Sequence, residues 1–154
     1  MLDGLKVIEI EGIGPGPFAA MMLADLGANV TVVHREDVPI EGMTEKSLLD
    51  RGKKSVLLNL KTDEGKACVR ELIKTADVLI EGLRPGAMEK LGLGPVDLHE
   101  INPALVYGRV TGWGQSGPRA QQAGHDLNYI ALSGALWYAS PPKQAPFTPP
   151  TLVG

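Results

Sequence analysis

The sequence predicts an α/β protein built on a parallel sheet with flanking helices. Three observations carry that prediction. Short apolar, β-branched runs alternate with helical segments from the N-terminus onward. Glycine-rich loops follow those runs at Glu11–Pro17, Gly82–Gly86 and Gly112–Pro118. The run Asp77-Val78-Leu79-Ile80-Glu81 is apolar on both faces, as an interior parallel strand must be.

Leu5 to Ile10 reads as the first strand, and Glu11 to Pro17 as the loop that closes it. Phe18 to Leu26 is rich in small and apolar residues and is ended by Gly27, so it reads as a helix. Val30 to His34 is the second strand. Strand, glycine loop, helix and strand make a βαβ unit, which demands a parallel pair. From Glu36 to Arg51 charge dominates and periodicity is lost, which predicts a surface connection with one helical turn at Glu45 to Leu49. Ser55 to Leu60 is a third strand. Thr62 caps the next helix, with Asp63 and Glu64 in its first turn. Val69, Leu72, Ile73 and Ala76 then fall on one buried stripe. After the fourth strand, Asp77 to Glu81, come a short helix from Ala87 to Lys90 and the turn Leu91-Gly92-Leu93-Gly94. Pro95 opens another helix, which Asn102-Pro103 closes. Ala104 to Val110 is the fifth strand. Residues Pro141 to Pro150 hold five prolines and read as an extended arm. The organisation expected is one domain over residues 1–140, followed by the arm at 141–154.

The totals narrow the function. With 154 residues, 44% hydrophobic and 21% charged, the chain is long enough for a core and too apolar for disorder. A net charge of −3 gives no reason to expect nucleic acid or an anionic membrane as partner. No run reaches transmembrane length and no signal peptide is seen, so a cytoplasmic protein is expected. The single cysteine, Cys68, rules out a disulfide framework and reads as a small buried residue. His34, His99 and His125 are too scattered for a zinc site, and no Gly-x-Ser-x-Gly elbow is present.

Chemistry concentrates at Gly124-His125-Asp126-Leu127-Asn128-Tyr129, which opens a short helix through Gly134. An imidazole titrates near neutral pH, and a helix N-terminus offers free N–H groups to developing negative charge. The first glycine loop does not match a dinucleotide fingerprint, because Pro17 stands where Gly or Ala is needed and the prolines remove donors. Glu36 lies near the place of a ribose-binding acid, but the loop itself reads as a tight turn. Arg35, Arg84 and Lys90 lie at or just after strand ends, where ligands of open α/β sheets bind. The cluster Arg51-Gly52-Lys53-Lys54, before the third strand, could hold a phosphate in the same way.

Taken together, these loops resemble the α-methylacyl-CoA racemases within the family III CoA-transferase group. The resemblance rests on Leu5–Glu9 with Gly12–Pro17, Ala24–Val30, Asp77–Gly86, Leu91–Gly94, Thr111–Pro118 and Gly124–Tyr129. It covers the chain apart from the region around Asp37 to Asp50. It implies a Rossmann-like large domain, incomplete here, in an interlocked homodimer, acting on an acyl-CoA substrate in lipid metabolism without metal or redox cofactor. It also implies epimerisation of a 2-methylacyl-CoA thioester by 1,1-proton transfer, with His125 as one proton carrier. By the same resemblance, coenzyme A is held by Arg35, Leu58, Asn59, Leu60, Lys61, Gly82, Leu83, Arg84, Lys90, Gly124, Asp126, Leu127, Asn128 and Tyr129. Lys90 stands at a position that is often arginine, keeping the charge but not the bidentate fork. Two alternatives are a CoA-transferase of the same fold, which typically lacks the histidine, and a non-catalytic CoA-binding fragment. The second proton carrier of the racemases is an aspartate directly after a run like Leu152-Val153-Gly154. The resemblance therefore implies that the 154-residue chain alone has no meaningful racemase activity, with only slow exchange of one epimer's C2 proton at His125 and no inversion.

Overall fold

The computed structural model describes residues 1–35, 47–139, 141 and 143–147. The expected surface connection at 36–46, with Glu36, and most of the proline arm lie outside the described residues. The chain divides into two compact units, Met1–Val110 and Thr111–Gly154.

The first unit is a five-stranded parallel sheet in the order β3-β2-β1-β4-β5. Its strands are β1 Lys6–Ile10, β2 Asn29–Arg35, β3 Lys54–Leu58, β4 Val78–Glu81 and β5 Val106–Arg109. Its helices are α1 Pro15–Asp25, α2 Asp63–Ile73, α3 Ala87–Lys90 and α4 Pro95–Ile101. A 3-10 turn at Leu48–Asp50 is capped by Ser47 Oγ, which accepts from Leu49 N at 3.1 Å. Because β residues alternate in direction, the three central strands β1, β2 and β4 feed two cores. Val7, Val30 and Ile80 meet Ala20 of α1 on one face. Ile8, Ile10, Val33 and Leu79 meet Val69 and Ile73 of α2, Met88 of α3 and Leu98 of α4 on the other.

Several expectations shift. Helix α1 begins at Pro15 rather than Phe18, because a proline in the first turn needs no N–H and has its φ already set. Strand β3 ends at Leu58 rather than Leu60, where Asn59 folds the chain: its side chain accepts from Lys61 N at 3.0 Å and its carbonyl from Thr62 Oγ1 at 2.9 Å. Strand β5 is shorter at both ends than Ala104–Val110. Cys68 is exposed, not buried, since it lies beside rather than on the Gly65, Val69, Ile73 stripe. Two side chains of the basic cluster, Arg51 and Lys53, are engaged within the protein. Arg51 pairs with Asp25 at 2.5 Å, and Lys53 Nζ is buried against Glu9 Oε2 at 2.6 Å and the Pro17 carbonyl at 3.0 Å.

The second unit holds α5 Asp126–Ser133, ended by Gly134 at φ 83°, and a 3-10 turn at Ala135–Ala139. Among the described residues no helix is long and apolar enough to cross a membrane.

Candidate functional site

In this strand order the chain leaves β1 towards β2 and β3, and later returns beside β1 as β4. The carboxyl ends of β1 and β4 therefore form the crevice where open α/β sheets bind ligands. A cavity of about 310 Å³ opens there, lined by Ile10, Glu11, Arg35, Leu58, Asn59, Leu60, Lys61, Leu83 and Leu91. Its walls combine five aliphatic side chains with the polar groups of Glu11, Arg35, Asn59 and Lys61, the usual make-up of a small-molecule site. Ile10 and Leu60 belong to the buried core, and Leu58, Leu83 and Leu91 pack against it.

The structure thus brings together Arg35, Leu58, Asn59, Leu60, Lys61 and Leu83, six of the residues expected to hold coenzyme A. Gly82, Arg84 and Lys90 are exposed and do not line the cavity wall. Ile10, Glu11 and Leu91 line it as well, although the sequence gives none of them a binding role. Glu11 is the most informative of these. Its Oε2 accepts from Arg35 N at 2.9 Å and Arg35 Nε at 3.3 Å, while its Oε1 lies 3.3 Å from His34 Nδ1. Burial pushes the Glu11 carboxyl up, but the Arg35 N–H, His34 and the Arg35 side chain together hold it below its ordinary value. An acid directly after a strand at the carboxyl edge was the one available signal for it.

A second polar group braces the loop after β4. Glu81 is buried, and its Oε2 accepts from Leu83 N at 2.7 Å. Arg109 Nε lies 3.4 Å from the other Glu81 oxygen, and Arg109 Nη2 donates to Glu89 of α3. Burial raises the Glu81 carboxyl, against the Leu83 N–H and Arg109. The Tyr107 hydroxyl donates to the Leu93 carbonyl at 2.9 Å, and the Arg109 guanidinium lies 5.2 Å from its ring centroid. The loop that carries Gly82 to Arg84 and the helix that carries Lys90 are therefore both tied to β5.

In the second unit His125 is the exposed N-cap of α5. Its backbone N–H donates to Asn128 Oδ1 at 2.9 Å and its carbonyl accepts from Asn128 N at 2.8 Å. Asp126 begins the helix and Leu127 is exposed. Tyr129, one turn in, packs against Trp113 with ring centroids 5.2 Å apart. Trp113 Nε1 donates to the Ala123 carbonyl at 3.3 Å. Gly124 lies against the Tyr129 ring.

A five-stranded parallel sheet with helices on both faces and a crevice at its carboxyl edge defines a doubly wound α/β protein. The sequence profile of CoA-transferase family III matches residues 2–154, and the chain belongs to that family. It is 47% identical to human alpha-methylacyl-CoA racemase over 152 residues, which is 99% of this chain and 39% of the racemase. It is 36% identical to human succinyl-CoA:glutarate CoA-transferase over 96% of this chain and 36% of that protein. A crystal structure of a CAIB/BAIF family protein from Brucella suis superposes with a TM-score of 0.84 at 34% identity, covering 97% of this chain and 43% of that one. The chain therefore spans less than half the length of these relatives.

Proposed function

We propose that the protein acts on 2-methylacyl-CoA thioesters and interconverts their two epimers by 1,1-proton transfer. The thioester carbonyl acidifies the C2 proton. His125 removes or returns that proton on one face, and the pair of electrons rests on the thioester oxygen as an enolate. Inversion requires a second acid–base group on the other face, each such group contributing typically about 10²–10⁴-fold. In this reading the nucleotide end of coenzyme A enters the cavity at Arg35, Leu58–Lys61 and Leu83, with Arg84 and Lys90 near its phosphates.

The observation that carries the reading is His125 itself: an accessible imidazole at the head of α5, in a chain 47% identical to a racemase. A second reading, CoA transfer between carboxylic acids, is favoured by the 36% identity to a transferase. One experiment separates them. A single epimer is incubated with the protein in deuterated water, with and without an acceptor acid. Deuterium at C2 that disappears in His125→Ala, by about 10²-fold or more, supports proton transfer. Movement of coenzyme A to the acceptor without label at C2 supports the transferase reading and ends the first.

A further inference from the structure

We propose that Tyr129 is the positioning residue of His125: its ring occupies the space left empty at Gly112 and Gly124 and so fixes the backbone that presents the imidazole. The proposal rests on the reading of His125 as a proton carrier, but its geometry stands apart from that reading. A Cβ at either Gly112 or Gly124 would overlap the Tyr129 hydroxyl. At Gly112 it would also lie 3.1 and 3.2 Å from Cζ and Cε1, and at Gly124 2.7 and 2.8 Å from Cε1 and Cζ. Neither glycine has a positive φ, whereas Gly114 and Gly117 in the same loop do. Glycine at 112 and 124 is thus required for room, not for backbone conformation.

The arrangement closes on itself. Tyr129 N–H donates to the His125 carbonyl at 3.3 Å, so ring and histidine share the first turn of α5. The ring reaches back to the residue immediately before His125 and to the start of the loop at Gly112. Trp113 packs on it and is in turn bonded to the Ala123 carbonyl. Both approaches to His125, from the loop and from the helix, are set by one side chain. A displacement of about 1 Å at a reacting group costs on the order of 10²-fold in rate, so a methyl group at 112 or 124 acts on His125 without touching it.

The test reads the imidazole directly. The chain has three histidines, and the His125 NMR signal is assigned by its loss in His125→Gln. Gly112→Ala should move or broaden that signal while those of His34 and His99, in the sheet unit, stay in place. Adding Tyr129→Phe should return it, because the remaining ring carbons at 3.1 and 3.2 Å need give only a few tenths of an ångström. Tyr129→Phe should fail to return it in Gly124→Ala, where the ring carbons themselves are in the way. Tyr129→Leu, which only removes bulk, should broaden the His125 signal even if the alanine variants fold poorly. An unmoved His125 signal in Gly112→Ala or Tyr129→Leu, or equal rescue at both glycines, overturns the proposal. Label uptake at C2 should fall about 10²-fold in Gly112→Ala. If the imidazole follows this order while the unmodified protein takes up no label, positioning stands and the proton-carrier reading fails.

Discussion

Lys53 looks like a surface cation in the sequence and is among the most enclosed side chains in the structure, 1% exposed beside a Glu9 that is 3% exposed. Burial pushes the Glu9 carboxyl up, and the ammonium of Lys53 opposes that rise. Removing one partner leaves the other charged and unsolvated, which typically costs about 3–5 kcal/mol. Lys53→Met should therefore destabilise the protein strongly in urea denaturation, and Glu9→Gln with Lys53→Met should recover most of the loss. Recovery that fails would mean that the bond to the Pro17 carbonyl, not the charge pair, is what matters. Glu11 behaves in the opposite sense. Its carboxyl is held below the usual 4.5, so its contribution to stability is complete above that pH and is lost as pH falls through the lowered value. The stability difference between the protein and Glu11→Gln, measured across this range, should shrink on acidification.

Helix α2 shows how an element sets the cavity from outside it. Its Gly65 lies so close to β3's exit that a Cβ would overlap the Asn59 carbonyl. Asn59 lines the cavity and its carbonyl accepts from Thr62 Oγ1, while Thr62 Oγ1 accepts from Gly65 N at 3.1 Å. Gly65→Ala should destabilise by about 1–3 kcal/mol, the range for overpacking, in thermal or denaturant unfolding. It should also weaken whatever ligand touches Asn59. Elements of this kind are legible in sequence because hydrophobic periodicity, caps and glycine stops are local: Thr62, the Val69 stripe and the Ala87–Lys90 turn all stand where they were read. Boundaries moved where one residue admits two roles, as Pro15 does at the head of α1. The candidate site divides the same way. Arg35 is marked by its place at a strand end, whereas Leu58 to Lys61 and Leu83 follow only from the family resemblance. Glu11, the enclosure of Lys53 and the clearance at Gly112 depend on approaches between segments far apart in the chain, and no spacing reveals them.

At the scale of the molecule, among the described residues all five strands, four of the helices and both cores lie within Met1–Val110. That segment produced alone should unfold cooperatively with sheet and helix content intact in circular dichroism. Under the proposed function it should bind coenzyme A yet exchange no C2 proton, since His125 lies outside it. Gradual, non-cooperative melting would show that the sheet unit leans on the remainder of the chain. The cavity in this unit has a further property: Ile10 and Leu60 are at once its wall and part of the core, and Leu58, Leu83 and Leu91 form the layer between. A change that reshapes what the cavity accepts is therefore also a change in how the sheet packs. Descent with variation has little freedom there, because most routes to a new preference pass through unstable intermediates. Diversification among relatives should be slow at these five aliphatic positions and faster at exposed side chains that neither wall the cavity nor pack in the sheet.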